Sequence, residues 1–539
     1  MSASSKKKLR NEQAAAQMTE KQLAEQKEAK KLKLYTTIFV VVLAVMLVVA
    51  IVIGVTNFIV GSGIREKNTV AVTAGEHEIS NAELNYYYID AINNYYGSYG
   101  EYISLFGLDV TKALNEQYYD EEAGQTWADY FITTACENAR SVYALNDAAA
   151  AEGFTLPEEQ ASSIDSNIST MELYAGLYGY QDAESYLKAM YGKGANMKAY
   201  RNYMEMSMLA DAYYNAHNEG LIYDDAALQA ADDENPAAYS SYTYNYYYLG
   251  VSKFQEGGVT GEDGTVTYTD EEKAAAIAAA EEAANSLVSA EIATVEDFDA
   301  AIAALEINAG TSASSTLCDN YGYTSVNSII ADWVTDADRQ EGDITCIPNS
   351  ETEVTGYYVV RYQSSNDNTY TLKNVRHILV AFEHNHVEGE EHDHSEVSYT
   401  EEEIAAAKAE AEEILNQWKS GEATEDSFAA LANEKSDDGD GTTGGLYENV
   451  YKGQMVAPFE EWCYDSARAA GDTAIVETEY GFHVMYFVGD SEMNYRDYLI
   501  TTELRTNDME SWYTGLCDAL AITEGDTSYI AKDLVLSAG

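Results

Sequence analysis

One long motif occurs twice in this chain. YTDEEKAAAIAAAEEAANSLVS begins at Tyr268 and YTEEEIAAAKAEAEEILNQWKS at Tyr399, with the same opening turn, acidic start and alanine spacing. A strand-like run precedes each copy, YNYYYLGV at 244–251 and NVRHILV at 374–380. Downstream, DWVTDADRQEGDITCI (332–347) parallels EWCYDSARAAGDTAIV (461–476), and the copies close on GYYVVRY (356–362) and GFHVMYF (481–487). In the second copy Ile404, Ala407, Ala411, Leu415 and Trp418 fall three or four apart, which places them on one buried helix face. Strand, long helix, short helix, glycine turn, helix and final strand make a small α/β unit in which helices cover an antiparallel sheet. Two sister modules in tandem are therefore expected.

At 539 residues the chain exceeds what one core organises, and a multidomain α+β architecture follows. The uncharged run IFVVVLAVMLVVAIVIGV (38–55) predicts a transmembrane helix over 36–60. Residues 1–35 are basic (Lys6, Lys7, Lys8, Arg10, Lys21, Lys27, Lys30, Lys31, Lys33), whereas the whole chain carries a net charge of −60. That asymmetry predicts a cytoplasmic tail and an extracytoplasmic body, that is, a single-pass cell-membrane protein. The tail of the run, GVTNFIVGSGIREK, has no small-residue cleavage site, which favours an uncleaved anchor. Beyond it the reading is an all-helical domain over 66–225, an acidic linker, the first copy over 240–365, the second over 370–490, and a C-terminal helix and tail over 491–539. The tail ends in a strand-like YIAKDLVLS.

So acidic a body repels nucleic acid, and that class of partner is excluded. Cys136, Cys318, Cys346, Cys463 and Cys517 show no CxxC spacing, so neither a zinc knuckle nor a thioredoxin-type site is indicated. Tyr outnumbers Phe by 45 to 12, which serves equally well for contact with unfolded segments and for packing of helix surfaces.

The copies differ where chemistry could reside. The second has His377 in its first strand and His483 in its last; the first has Tyr358 in the last and Tyr247 in the first, or Tyr246 if the loop register differs by one residue. Between strand and helix the second copy carries AFEHNHVEGEEHDHSEVS (381–398), where His384, His386, His392 and His394 are weak candidates for a divalent metal against the alternative of a solvated loop.

VRHILV (375–380), FAALANEKSDD (428–438), Gly444–Gly445, KGQMVAPFE (452–460) and AGDTAIVETEYGFHV (470–484) form an ordered set. With it, 375–488 resembles the parvulin family of peptidyl-prolyl isomerases, and the whole layout resembles membrane-anchored extracytoplasmic foldases of the PrsA/SurA type. The resemblance implies two tandem parvulin-like units, the first degenerate, behind a chaperone-like helical domain. It makes His377 and His483 the paired histidines of the site, with Asp438 and Thr478 beside them and Met455 and Phe459 holding the proline ring. Where the family reads GG-acidic-Leu-Gly this chain has Gly444, Gly445, Leu446, Tyr447 and Glu448, so Tyr447 takes the place of the pocket leucine. Phosphate-selective members carry a basic cluster after the first strand; the acidic loop here implies no such selectivity.

Rotating an X-Pro bond crosses an amide-resonance barrier of about 18–20 kcal/mol without breaking a bond, so the implied activity calls for no cofactor. The expected partners are unfolded or partly folded exported polypeptides bearing X-Pro bonds. A binding-only chaperone, in which both units have become recognition modules, is the alternative, and a surface scaffold a third reading.

Overall fold

The structure, a computed structural model, describes residues 63–261, 264–382, 399–439 and 441–536. The described chain is multidomain α+β and divides into two compact units, one comprising the part up to Ile222 and again from Arg505, the other Tyr223–Leu504. The expectation of a membrane span, and of a single-pass cell-membrane placement, is corrected: among the described residues no helix is long and apolar enough to cross a membrane. The run at 36–60 that prompted it lies outside the described residues, as does the histidine-rich stretch 383–398 with His384, His386, His392 and His394.

The first unit opens with α1 (Ile64–Asn68), then β1 (Val70–Ala74) and β2 (His77–Ser80), which pair antiparallel around Gly75 at φ 60°. Ser80 ends the hairpin and starts α2 (Asn81–Tyr99), its hydroxyl accepting the Glu83 N–H at 3.3 Å. A small hairpin, β3 (Tyr118–Asp120) with β4 (Gln125–Thr126), leads into α3 (Trp127–Glu152), which starts on a Thr126–Asp129 capping box and stops at left-handed Gly153. Helices α4 (Glu158–Leu177), α5 (Ala183–Tyr191) and α6 (Met197–Gly220) complete the bundle. Its core joins Leu84, Tyr86 and Tyr88 to Trp127, Phe131 and Leu187.

In the second unit the acidic segment expected to be a linker forms α7 (Asp225–Glu234), held where Arg496 donates to Asp232 at 2.9 Å and to the Pro236 carbonyl at 2.8 Å. The first repeat runs through β5 (Ser241–Gly250), a β6 (Val259–Thr260)/β7 (Val266–Thr267) hairpin, α8 (Asp270–Val288), α9 (Val295–Ala303), β8 (Thr316–Gly322), α10 (Ala331–Val334), β9 (Ile344–Pro348) and β10 (Gly356–Asn366). The second runs through β11 (Thr371–Ala381), α11 (Glu401–Ser420), α12 (Glu425–Lys435), β12 (Leu446–Val450), α13 (Ala457–Cys463), β13 (Thr473–Thr478) and β14 (Gly481–Asn494). The two four-stranded sheets have the same order, β8-β5-β10-β9 and β12-β11-β14-β13.

Helix α14 (Tyr495–Ala519) is followed by β15 (Ile522–Glu524), which pairs with β1 in the first unit. That unit therefore holds a three-stranded sheet, β15-β1-β2, which corrects the all-helical expectation; the partner strand is remote in sequence. Among the described residues the tail beyond it forms no strand: Ala113 and Val535 make a single bridge, while Ile530 and Leu536 are buried in the helical core.

Candidate active site

Period-two alternation gives each face of the second repeat's sheet its own core. Ile378, Val380, Phe482 and Val484 point to α11 and α12, packing on Ala411, Trp418 and Phe428. Val375, Met485 and Phe487 point the other way, toward Phe459 and Trp462 of α13. His377 and His483 share this second parity and are 3 % and 6 % exposed. Their strands neighbour each other in a register that sets His377 opposite Met485 and His483 opposite Leu379.

The two imidazoles meet with Nδ1 to Nδ1 at 3.0 Å. On the far side of His377, Nε2 lies 3.0 Å from Asp438 Oδ2; on the far side of His483, Nε2 lies 2.9 Å from Thr478 Oγ1. Tyr447 extends the chain by donating its hydroxyl to the same Asp438 oxygen at 2.8 Å. Thr478 Oγ1 also accepts the Tyr480 N–H at 3.2 Å. Phe459 stands edge-on to both imidazoles, with ring centroids 5.5 Å and 5.4 Å away. Met455 and Tyr447 pack against the same apolar cluster as Phe459. All seven residues expected at the site are thus on one face of one sheet.

Burial, reinforced by the neighbouring His377, pushes the His483 pKa down to about 3, so this ring is neutral at ordinary pH. Burial also opposes the charge on Asp438, yet the His377 hydrogen bond and charge, the Tyr447 hydroxyl and the nearby His483 hold its pKa at about 2. Two proton arrangements satisfy the contacts. With both rings neutral, Thr478 donates to His483 Nε2, His483 Nδ1–H donates to His377, and His377 Nε2–H donates to Asp438. A proton added at His377 Nδ1 reverses the bond between the rings, so that His483 Nε2–H donates to Thr478.

Several supporting residues escaped the sequence reading. Segment 436–438 lies alongside β11, where the Ser436 hydroxyl accepts the Leu379 N–H at 3.1 Å, the Asp437 N–H donates to the Leu379 carbonyl at 2.9 Å, and the Asp437 carboxylate accepts the Ala381 N–H at 2.9 Å. These bonds place Asp438. Gly445, at φ 64°, accepts the His377 N–H at 2.9 Å, and a Cβ there would lie 2.1 Å from the His377 carbonyl oxygen. Arg376 ties down the same turn by donating to the Thr443 and Gly444 carbonyls at 3.2 Å and 3.0 Å. Arg376, Ser436, Asp437 and the Gly444–Gly445 pair all fall within the quoted motifs, which carry no sign of these bonding roles.

Residues 377–489 match the family described as Rotamase, PPIC-type PPIASE domain. This segment is a parvulin-type peptidyl-prolyl isomerase domain. A search among curated proteins gave no match. Among solved structures, the chain is similar to a peptidylprolyl isomerase (PrsA) from Bacillus anthracis, with 20 % identity and a TM-score of 0.17 over 28 % of this chain and 59 % of that one. It is also similar to a PrsA from Bacillus cereus, with 24 % identity and a TM-score of 0.17 over 28 % of this chain and 50 % of that one. The chain thus spans between half and three fifths of those proteins, and at such scores the likeness adds nothing to the family match.

The sister unit lacks the imidazoles of the isomerase domain. Pairing of Tyr358 with Tyr248, against His483 with Leu379, makes Tyr246 the counterpart of His377, which corrects the first reading, Tyr247, to its one-residue alternative. The Tyr246 and Tyr358 rings lie 5.9 Å apart, and Asn327 Nδ2 donates to the Tyr358 hydroxyl at 3.3 Å.

Proposed function

We propose that this protein accelerates cis–trans isomerisation of X-Pro bonds in polypeptide substrates, using His377, His483, Thr478 and Asp438 as its polar network and Phe459, Met455 and Tyr447 as the proline hollow. The observation that carries the reading is the 3.0 Å contact between two buried imidazoles with Phe459 edge-on to both. Only interactions stronger with the twisted amide than with the planar one lower the barrier. An apolar wall grips the pyrrolidine ring, and prearranged donors and acceptors meet the amide as it loses resonance, without reorganising at that moment. The reaction needs no nucleophile, because no covalent bond is made or broken.

The test is an X-Pro isomerisation assay on the full chain. Wild type accelerates the reaction, while His377→Ala and Phe459→Ala reduce it toward the uncatalysed rate. Equal rates with and without wild-type protein would remove the enzymatic reading.

A second reading, recognition without catalysis, is supported for the first repeat by the exchange of both imidazoles for Tyr246 and Tyr358. Tyr offers a large, semi-polar contact face at modest conformational cost. If that reading holds for the whole chain, peptides bind and their isomerisation rate does not change.

A further inference from the structure

The isomerase reading above underlies this inference. Tyr447 stands where the resemblance expects a leucine, and its ring supplies what a leucine would: it packs with Phe459 and Met455 and lies 4.9 Å from the His377 ring. The hydroxyl is the addition. It donates to Asp438 Oδ2 at 2.8 Å, the oxygen that His377 Nε2 already reaches at 3.0 Å. Asp438 Oδ1 has no hydrogen-bond partner among the described residues, and the side chain is 38 % exposed. A carboxylate held by one donor turns easily about its last torsion, which is broad. Two donors converging on one oxygen, both to a charged acceptor, hold it in one orientation.

We propose that Tyr447 is a positioning residue for the isomerase: acting through Asp438, it fixes one carboxylate oxygen against His377 Nε2 and leaves the other free for solvent or substrate. With Asp438 so held, His377 keeps a proton on Nε2 directed at the acid, and through the 3.0 Å Nδ1 contact this tautomer reaches His483 and Thr478. Among the described residues, the titratable groups facing Asp438 are His377 from β11, His483 from β14 and Tyr447 from β12. Its chain neighbour Asp437 is engaged with the Ala381 N–H.

The test is a double-mutant cycle in the full chain with Tyr447→Phe, Asp438→Asn and both together, reading kcat/KM for an X-Pro peptide, the unfolding midpoint, and the imidazole ¹⁵N shifts of His377. Tyr447→Phe keeps the ring and should lower kcat/KM about tenfold with KM little changed, the effect of one hydrogen bond to a charged group. In the Asp438→Asn background the same change should have no further effect. Tyr447→Phe should also move the His377 Nε2 shift, while the unfolding midpoint falls by no more than the loss of one hydrogen bond accounts for. Tyr447→Leu, which removes ring and hydroxyl, should raise KM as well. Equal losses in the two backgrounds, or unchanged imidazole shifts in Tyr447→Phe, would overturn the proposal. Should wild type prove inactive, the proposed function fails, and the ¹⁵N shifts still decide whether Tyr447 positions the network.

Discussion

His377 and His483 point their Nδ1 atoms at each other across 3.0 Å, so a single hydrogen lies between them and the protonation of one ring dictates the tautomer of the other. Each ring is therefore useful mainly in company.

That coupling predicts non-additive kinetics. His483→Phe takes a partner from His377 and from Thr478 at once, and each buried polar group left unmatched costs about 1–3 kcal/mol. We expect kcat/KM to fall about a hundredfold in His377→Phe and in His483→Phe, and the double variant to be hardly worse than either single one. Steady-state isomerisation kinetics check this, and additive losses would show that the rings act independently.

Acid should destabilise the second unit. The His483 pKa is depressed from 6.5 to about 3 by burial, so between those values the unfolded chain binds a proton that the folded one refuses. The contribution is present in full above pH 6.5 and declines as pH falls toward 3, at about 1.4 kcal/mol per pH unit for one proton. Asp438, depressed from 3.8 to about 2, has the same sign in a lower window. The gap in urea midpoint between wild type and His483→Gln should be constant above pH 6.5 and shift in favour of the variant as pH falls below it.

The first unit should respond in the opposite sense. Asp90 accepts a hydrogen bond from Tyr203, whose ring stacks 5.1 Å from Tyr86, and burial raises its pKa from 3.8 to about 6. The folded state thus holds a proton that the unfolded state releases. The resulting stability is full below 3.8 and is lost as pH rises through 6. Asp90→Asn should raise the stability of this unit by about 1–3 kcal/mol at pH 7 and leave it unchanged at pH 3. Denaturant unfolding followed by tyrosine fluorescence reads this difference.

Gly445→Ala should damage the isomerase domain out of proportion to one methyl group. The position has φ 64°, and the new Cβ would meet the His377 carbonyl oxygen at 2.1 Å. A loss above about 2 kcal/mol, with activity falling in parallel, is expected from the strain and the displaced strand. Gly453→Ala is the comparison: φ is 84° and nothing lies near its Cβ, so only the backbone term remains.

Local patterns carried much of the fold. Thr400 with Glu403 forms the capping box that starts α11, and Ala407, Ala411, Leu415 and Trp418 form its buried stripe, because helix geometry depends on neighbours three and four residues away. His377 and His483 were legible because they differ from their counterparts in the sister copy. The Asp438 scaffold was not, since Ser436 and Asp437 bond to strand residues such as Leu379, 57 positions from Ser436. Nor could β1 announce that β15 would join it: a strand's alternation records its faces and not its partner.

By itself the sequence determined the duplicated unit, the alternation that separates two faces of each sheet, and the histidine pair that one copy has and the other lacks. The tertiary structure alone decided that Tyr246, and not Tyr247, is the counterpart of His377, that Tyr447 shares an oxygen of Asp438, and that imidazoles 106 positions apart lie 3.0 Å from each other. The physical reason is register. A one-residue slip between two strands turns every side chain to the opposite face, and no local pattern in either strand records which pairing buries the most.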